Sequence, residues 1–232
     1  MKKSRHEYKF QIDEKDIALI KARVGTVMQK DVHAKEQGFY QIRSIYFDDI
    51  ADTCYYQNEA GTDPRAKYRI RIYNAQDTAI RLEKKVKQRG KTRKYTAPLT
   101  RNQADLLIAG KPLSMESQAF EAYPELLREF LVLMRIRHMQ PKVMTVYDRI
   151  PYVDARGNVR VTLDRNISAS TDFAHFFEKD LKKEPILPPG RHLLEVKYDE
   201  FLPAHIKAGL DLGHLRQITF SKYYLCRKRK KA

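Results

Sequence analysis

The chain has 232 residues, with 45 Lys or Arg against 29 Asp or Glu, and a formal net charge of +16. Its 42% hydrophobic content is typical of a globular protein and excludes a disordered chain. No stretch approaches the roughly 20 apolar residues that span a bilayer, the N-terminus lacks the apolar core of a secretory signal, and the two cysteines lack metal-ligand spacing. We therefore expect a cytoplasmic protein with a polyanionic partner.

Alternation of apolar and polar residues predicts mostly strands. In chain order, strands are predicted at 5–12, 39–48, 66–74, 78–87, 92–98, 142–153, 158–164, 191–199 and 216–226, and helices at 13–30, 101–109, 117–138 and 203–212. This order predicts an α+β fold in which about eight antiparallel strands close into a β-barrel tunnel, with the helices packed outside. We expect one domain over residues 1–232, with a flexible basic tail at 227–232.

The strand KYRIRIYN at 67–74 places three cations, Lys67, Arg69 and Arg71, on one face and large apolar side chains on the other. Most other predicted strands repeat this excess of cations on their polar face. For any one strand, a charged face is usually the solvated side of a sheet, and that interpretation stays open. If the faces point into a barrel, the unpaired cations require water or a bound anion, because burying unpaired charge costs several kcal/mol.

Three carboxylates, Glu7, Glu83 and Glu195, lie among these cations. They would be misplaced in a lumen that only bound phosphate. They are explained if a divalent metal joins carboxylate oxygens to phosphate oxygens. The residues therefore predict a phosphate tunnel with metal-assisted phosphoryl chemistry.

Eight motifs, in order along the chain, carry a resemblance to a known family. They are RHEYKF (5–10), IRSIYFDD (42–49), KYRIRIYN (67–74), LEKKVK (82–87), YDR (147–149), VRVTLDRNI (159–167), LEVKYDEFLP (194–203) and SKYYLCR (221–227). Together they resemble the VTC domain, the polyphosphate polymerase domain of the vacuolar transporter chaperone complex and its free-standing prokaryotic relatives. That family lies within the triphosphate tunnel metalloenzyme, or CYTH-like, superfamily.

The resemblance implies a phosphotransferase that moves the γ-phosphoryl group of ATP onto a polyphosphate chain and releases ADP, with Mn²⁺ or Mg²⁺. The catalytic residues it implies are Arg69, Arg71, Lys85, Arg149 and Lys222. The further phosphate-binding residues are Lys9, Arg43, Lys94, Arg160, Lys197 and Ser221. The metal ligands are Glu195, with Glu7 and Glu83 in support. The implied partners are ATP, triphosphate and polyphosphate, and the basic tail leaves room for a membrane-protein partner at the inner face of the membrane.

Three alternatives remain. One is an inorganic or nucleoside triphosphatase that uses the same tunnel, and another is a non-catalytic module that binds polyphosphate. The third is a nucleic-acid binder, which the net charge alone would favour. Against it, stacking platforms interleave aromatics with cations on one face, whereas Tyr68 lies opposite the cations and the chain has no Trp. We therefore expect no nucleic-acid partner.

Overall fold

A computed structural model describes residues 5–34 and 37–231. Its strands are β1 (His6–Asp13), β2 (Gln29–Lys30), β3 (Tyr40–Asp48), β4 (Arg65–Tyr73), β5 (Gln76–Gln88), β6 (Lys91–Pro98), β7 (Gln140–Asp154), β8 (Val159–Ser170), β9 (Glu184–Pro185) and β10 (Arg191–Tyr198). Its helices are α1 (Glu14–Val24), α2 (Thr53–Glu59), α3 (Arg101–Ile108), α4 (Ser117–Ala122), α5 (Glu125–Arg137), α6 (Ala204–Leu210) and α7 (Lys222–Lys231). Of the predicted domain, residues 1–4, 35, 36 and 232 lie outside the described residues.

The chain folds into two compact units. Unit 1 takes its residues from 1–41, 147–168 and 185–221, and its strands follow the order β1-β10-β8-β7. Helix α1 begins after Asp13, whose side chain accepts the Asp16 N–H while the Asp16 side chain accepts the Asp13 N–H. The helix buries its apolar side with the apolar residues of β8 and β10. The other face of these strands is therefore the polar one.

Unit 2 takes its residues from 42–146, 169–184 and 222–232, and its strands follow the order β7-β3-β4-β5-β6. Phe130 of α5 packs on the apolar face of this sheet, with its ring centroid 5.0 Å from Phe47 and 5.5 Å from Tyr68. Fully buried isoleucines and leucines of β3, β4 and β5 complete this core. As in unit 1, helices cover the apolar face and leave the polar face to the charged residues.

The predicted α+β class with antiparallel strands is confirmed, but the predicted closed barrel is wrong. Among the described residues, β1 forms a ladder with β10 alone, apart from one bridge between Phe10 and Gln217. Likewise, β6 forms a ladder with β5 alone. Each unit therefore ends in an open edge, where the sequence prediction had placed a closed ring of strands.

Three predicted elements differ from the structure. The helix predicted at 13–30 ends at Val24, and residues 29 and 30 form β2. The strand predicted at 216–226 is irregular up to Ser221, and α7 begins at Lys222 and includes the basic residues assigned to the tail. The helix predicted at 117–138 is divided into α4 and α5 at Pro124, since proline disfavours helical backbone in the residue before it. Among the described residues, no helix is both long and apolar enough to cross a bilayer.

Candidate functional site

Two tight hairpins connect the strands β4, β5 and β6 of unit 2. The β4–β5 turn places Asn74 and Ala75 at φ 51° and 55°, and the β5–β6 turn places Arg89 and Gly90 at φ 50° and 72°. Positive φ at both central residues is the geometry of two-residue turns that match the twist of antiparallel strands. The β5–β6 turn sets the pairing of Lys85 with Lys94. In the β4–β5 pair, a register shift between Tyr73 and Arg71 separates the turn from the paired cations.

Arg69 and Glu83 form the centre of this face. They are direct cross-strand partners, and Arg69 Nε and Nη2 donate to Glu83 Oε2 over 2.8 and 2.6 Å. Arg69 Nη1 donates to the Tyr46 hydroxyl over 2.7 Å. Lys94 Nζ donates to the other Glu83 oxygen over 2.9 Å. One carboxylate therefore organises cations from two neighbouring strands.

Arg71 lies one row further along the same face. Its Nε donates to Ser44 Oγ over 3.0 Å and lies 3.9 Å from Glu83. Its side chain is 9% exposed and that of Glu83 is 1% exposed, so their charges act in a poorly hydrated environment. Burial would raise the pKa of Glu83, but the positive charges of Arg69, Arg71 and Lys94 outweigh it and hold that pKa well below its ordinary range.

We call this group the unit 2 cluster. Its members are Ser44, Tyr46, Lys67, Arg69, Arg71, Glu83, Lys85 and Lys94, which are joined by cross-strand pairing. Five of its members are cations and one is a carboxylate. That surplus, much of it withdrawn from water, favours binding of a polyanion with several acceptor oxygens, because arginine grips such oxygens with paired N–H groups.

Helix α7 docks on the edge of the unit 2 cluster. The Tyr223 hydroxyl donates to Asp48 over 2.6 Å, and Asp48 also accepts the backbone N–H groups of Cys54 and Tyr55. The Tyr223 ring lies 5.1 Å from the Tyr46 ring and 5.0 Å from Lys67 Nζ. The predicted residue Lys222 is the first residue of α7, and this docking fixes its position.

The polar face of unit 1 contains a more balanced group, the unit 1 cluster. It consists of Glu7, Lys9, Arg149, Arg160, Asp164, Glu195 and Lys197. Lys197 Nζ lies 2.5 Å from Glu195 and 3.7 Å from Glu7, and Lys9 Nζ lies 3.4 Å from Glu7 and 3.9 Å from Glu195. Burial lowers the pKa of Lys197, although the two carboxylates offset part of this effect. The ammonium groups therefore hold Glu7 and Glu195 close together.

Arg149 links this pair to a third carboxylate. Its Nε and Nη2 donate to the two Asp164 oxygens over 2.6 and 2.7 Å, and Nη2 donates to Glu195 over 3.3 Å. Burial would lower the pKa of Arg149, but Asp164 raises it well above its usual value. Most of the Arg149 charge is thus engaged by fully buried Asp164. Arg160 donates to Asp31 over 2.9 Å at the edge of the cluster.

The donor set of unit 1 fits a divalent cation in part. Mg²⁺ commonly takes one or two carboxylates from the protein and completes its shell with water and phosphate oxygens. Glu7 and Glu195 can provide such a pair. Among the described residues, no group of three or more His, Cys, Asp or Glu side chains is placed to hold a metal. A metal here would therefore depend on oxygens from its substrate.

Glu83 belongs to unit 2, and both its oxygens accept hydrogen bonds from cations. We therefore assign it as the counter-ion of the unit 2 cluster, and its support of a metal ion stays a prediction.

Arg43 also lies outside the clusters. It pairs with Ile72 on the apolar face of β3, opposite to the face of Arg71. Its Nη1 donates to the backbone carbonyls of His175, Phe176 and Glu178 over 3.1, 2.9 and 2.5 Å. Those contacts give Arg43 a structural role within unit 2, and its predicted contact with phosphate stays a prediction. Ser221 is half-buried immediately before α7.

Sequence reasoning missed several polar partners of the clusters. They are Asp31, Ser44, Tyr46, Asp48 and Asp164. A signal for Asp164 was present, since it alternates in phase with Arg160 along β8. Ser44 and Tyr46 had no such signal, because β3 carries bulky apolar side chains on both faces.

The family model of the VTC domain matches residues 4–229. A solved structure from Bacillus halodurans, provisionally assigned as an adenylate cyclase, is 12% identical over 88% of this chain and 83% of its own, with a TM-score of 0.47. A protein from Pyrococcus horikoshii is 12% identical over 89% and 84%, with a TM-score of 0.41.

No curated protein matches the chain significantly. The family match, by contrast, spans nearly the whole sequence. The chain therefore belongs to the VTC domain family.

Proposed function

We propose that this protein is a metal-dependent polyphosphate polymerase, which transfers the γ-phosphoryl group of ATP onto a polyphosphate chain and releases ADP. One observation carries the proposal: the unit 2 cluster sets five cations against the single carboxylate of Glu83. Such a surplus suits a ligand with a high density of negative charge, as in triphosphate and polyphosphate. Membership of the VTC domain family supports the same substrate class.

Phosphoryl transfer needs little covalent participation from a protein, because positioning and electrostatic stabilisation supply most of the catalysis. Arg69 and Arg71 would bind non-bridging oxygens of the donor triphosphate, and Lys85 would add a point charge in the adjacent row. The Arg71 guanidinium is nearly buried in the cluster, and its Nε donates to Ser44 Oγ over 3.0 Å, which positions it on the polar face.

The nucleophile would be a terminal phosphate oxygen of the acceptor chain. It is already anionic, so the transfer requires no general base. The unit 1 cluster would hold the divalent cation through Glu195 and Glu7. Such a cation would supply positive charge to phosphate oxygens. Lys9 and Lys197 would then orient the two carboxylates.

The test is a product assay with ATP and Mn²⁺, in which polyphosphate is resolved on a gel and free phosphate is measured separately. Long polymer with matching ADP supports the proposal. Free phosphate without polymer identifies a triphosphatase. Tight binding of polyphosphate without turnover identifies a binding module. The same assay with Mg²⁺ in place of Mn²⁺ identifies the metal that supports turnover.

A further inference from the structure

The hairpin of β5 and β6 carries an unusual density of cations. Between residues 84 and 94 there are seven Lys or Arg and no Asp or Glu. Lys85 and Lys94 belong to the unit 2 cluster and are partly accounted for by the proposed donor site. The cations nearer the turn have no role in that site.

The strand register orders these cations into rows on one face. The row of Arg69 and Glu83 is followed by the row of Lys67, Lys85 and Lys94, and then by the row of Arg65 and Lys87. Successive rows are separated by about 7 Å, since two residues advance a strand by that length. The polar face therefore continues for two rows beyond the centre of the cluster.

Exposure increases along these rows in the same direction. Glu83 is fully buried, Lys85 is half-buried and Lys87 is exposed. Among residues 5–34 and 37–231, the side chain of Lys87 has no hydrogen bond or ion pair, whereas Arg65 Nη1 donates to the Thr62 carbonyl over 2.6 Å. This row therefore retains positive charge available to a ligand that reaches it from the Lys67 row.

The nature of the ligand follows from what the hairpin lacks. Its exposed turn, Gln88 to Lys91, has no apolar side chain that could enter a lipid surface. The exposed aromatic of the hairpin, Tyr95, pairs with Lys84 on the opposite face, so it cannot stack a base beside Lys87. An extended inorganic polyanion needs neither feature and requires successive cations along its length.

We propose that the row of Arg65 and Lys87 is an outer subsite for polyphosphate, which binds the part of a long chain that extends beyond the unit 2 cluster. This inference rests on the proposed function and adds to it a specificity for chain length. Triphosphate fills the cluster and does not reach the outer row, whereas a chain of many phosphates contacts both.

The same hairpin provides a matched control. Arg93 is exposed and carries the same charge as Lys87, but it pairs with Val86 on the other face. Reversing either charge changes the net charge of the protein equally. A difference in phosphate affinity between the two variants therefore depends on which face of the hairpin carries the charge, and not on the net charge of the protein.

The experiment measures the affinities of tripolyphosphate and of a long polyphosphate for the wild type, Lys87→Glu and Arg93→Glu. The salt concentration is about 0.15 M, because charges more than roughly 8 Å apart are then screened. We expect Lys87→Glu to weaken long polyphosphate by about 3- to 10-fold and to leave tripolyphosphate nearly unchanged. We expect Arg93→Glu to leave both unchanged. Circular dichroism confirms that both variants are folded.

Four results would overturn the inference. The first three are equal losses of affinity in the two variants, equal losses for the two ligands in Lys87→Glu, and no loss of affinity in Lys87→Glu. The fourth is Lys87-dependent binding of anionic vesicles or RNA that is tighter than the binding of polyphosphate. If the wild type bound neither phosphate, the proposed function itself would fail. That outcome is distinct from loss of the outer subsite alone.

Discussion

Replacing Glu83 with glutamine tests whether the unit 2 cluster is an assembly of cations held by one counter-ion. The substitution keeps the shape of the side chain and removes the charge that Arg69, Arg71 and Lys94 share. Removing one partner of a buried ion pair typically costs 3–5 kcal/mol, because the remaining charge stays buried without compensation. Since the Lys94 side chain is 47% exposed, we expect the lower end, about 3 kcal/mol.

Urea denaturation at pH 7 measures this loss as a decrease in the free energy of unfolding. The matched control is Asp105→Asn in the same unit, which removes an exposed ion pair with Arg101 on helix α3. Exposed pairs of this kind contribute no more than about 0.5 kcal/mol. If Glu83→Gln lowers the free energy of unfolding by less than about 0.5 kcal/mol, as expected for the control, the assignment of Glu83 as counter-ion is refuted.

The pH dependence of the free energy of unfolding tests the same interaction independently. The pKa of Glu83 is lowered in the folded state, so its stabilising effect is fully present above the unfolded pKa of about 4.3 and is lost as the pH falls through the lower folded pKa. We therefore expect the difference between wild type and Glu83→Gln to shrink on acidification. Tripolyphosphate should stabilise the variant more than the wild type, because it replaces the missing negative charge.

Three further outcomes follow from contacts within the units. Arg43→Met should lower the free energy of unfolding by about 3 kcal/mol, because several hydrogen bonds to carbonyl groups are lost. The folded variant should keep its affinity for tripolyphosphate. A weakened affinity would instead support the predicted contact of Arg43 with phosphate. Arg149→Met should cost about 3–5 kcal/mol in urea denaturation, since Asp164 would remain buried and charged; a loss below about 1 kcal/mol would contradict the assigned pair. Burial opposes ionisation of Asp52, but Lys231 and Arg227 lower its pKa to about 2. The stabilising effect of the Asp52 carboxylate is therefore lost as the pH falls from about 4, the unfolded pKa, towards the folded pKa. Hydrogen exchange should then show α7 opening in this range, and Asp52→Asn should abolish that pH dependence; an unchanged profile in the variant would exclude Asp52 as the origin.

The strands of the fold could be predicted because their signals are local. Alternation over 66–74 and 78–87 located β4 and β5 within two residues of their ends, and the turn residues between them fixed an antiparallel pair. The register shift between Tyr73 and Arg71, which sets the pairing of Arg69 with Glu83, has no signal in that alternation. Closure of the barrel was predicted wrongly, since pairing between distant strands leaves no periodic trace in a single sequence.

The sequence pattern assigns side chains to a face least clearly where both faces of a strand carry similar residues. In β3, Arg43 shares one face with apolar residues, and Ser44 and Tyr46 share the other face with Ile42. The sequence pattern therefore could not decide which face meets the core. The structure places Ser44 and Tyr46 with the cations and Arg43 with the apolar residues. Tertiary packing of the segment 175–179 decides this choice, because its carbonyl groups need a donor that Arg43 supplies.

Helix α7 is a second case in which tertiary structure overrides a local signal. The aromatic residues of the predicted 216–226 strand favour β structure, whereas the following Leu, Arg and Lys residues favour a helix. Tyr223 and Cys226, three residues apart, share one buried side of α7, and the hydrogen bond of Tyr223 to Asp48 fixes the start of the helix. Asp48 is distant in sequence, so this interaction could not be predicted from the segment itself.

The most direct test of the central claim is the affinity of the folded protein for tripolyphosphate, measured by calorimetry for the wild type, Arg71→Gln and the exposed control Arg101→Gln. The Arg71 guanidinium is nearly buried among the unit 2 cations, and loss of a charge-assisted contact there should weaken binding by about 10- to 100-fold. Arg101→Gln should bind as the wild type does. Equal affinities in all three proteins would contradict the claim that the unit 2 cluster holds the phosphate chain.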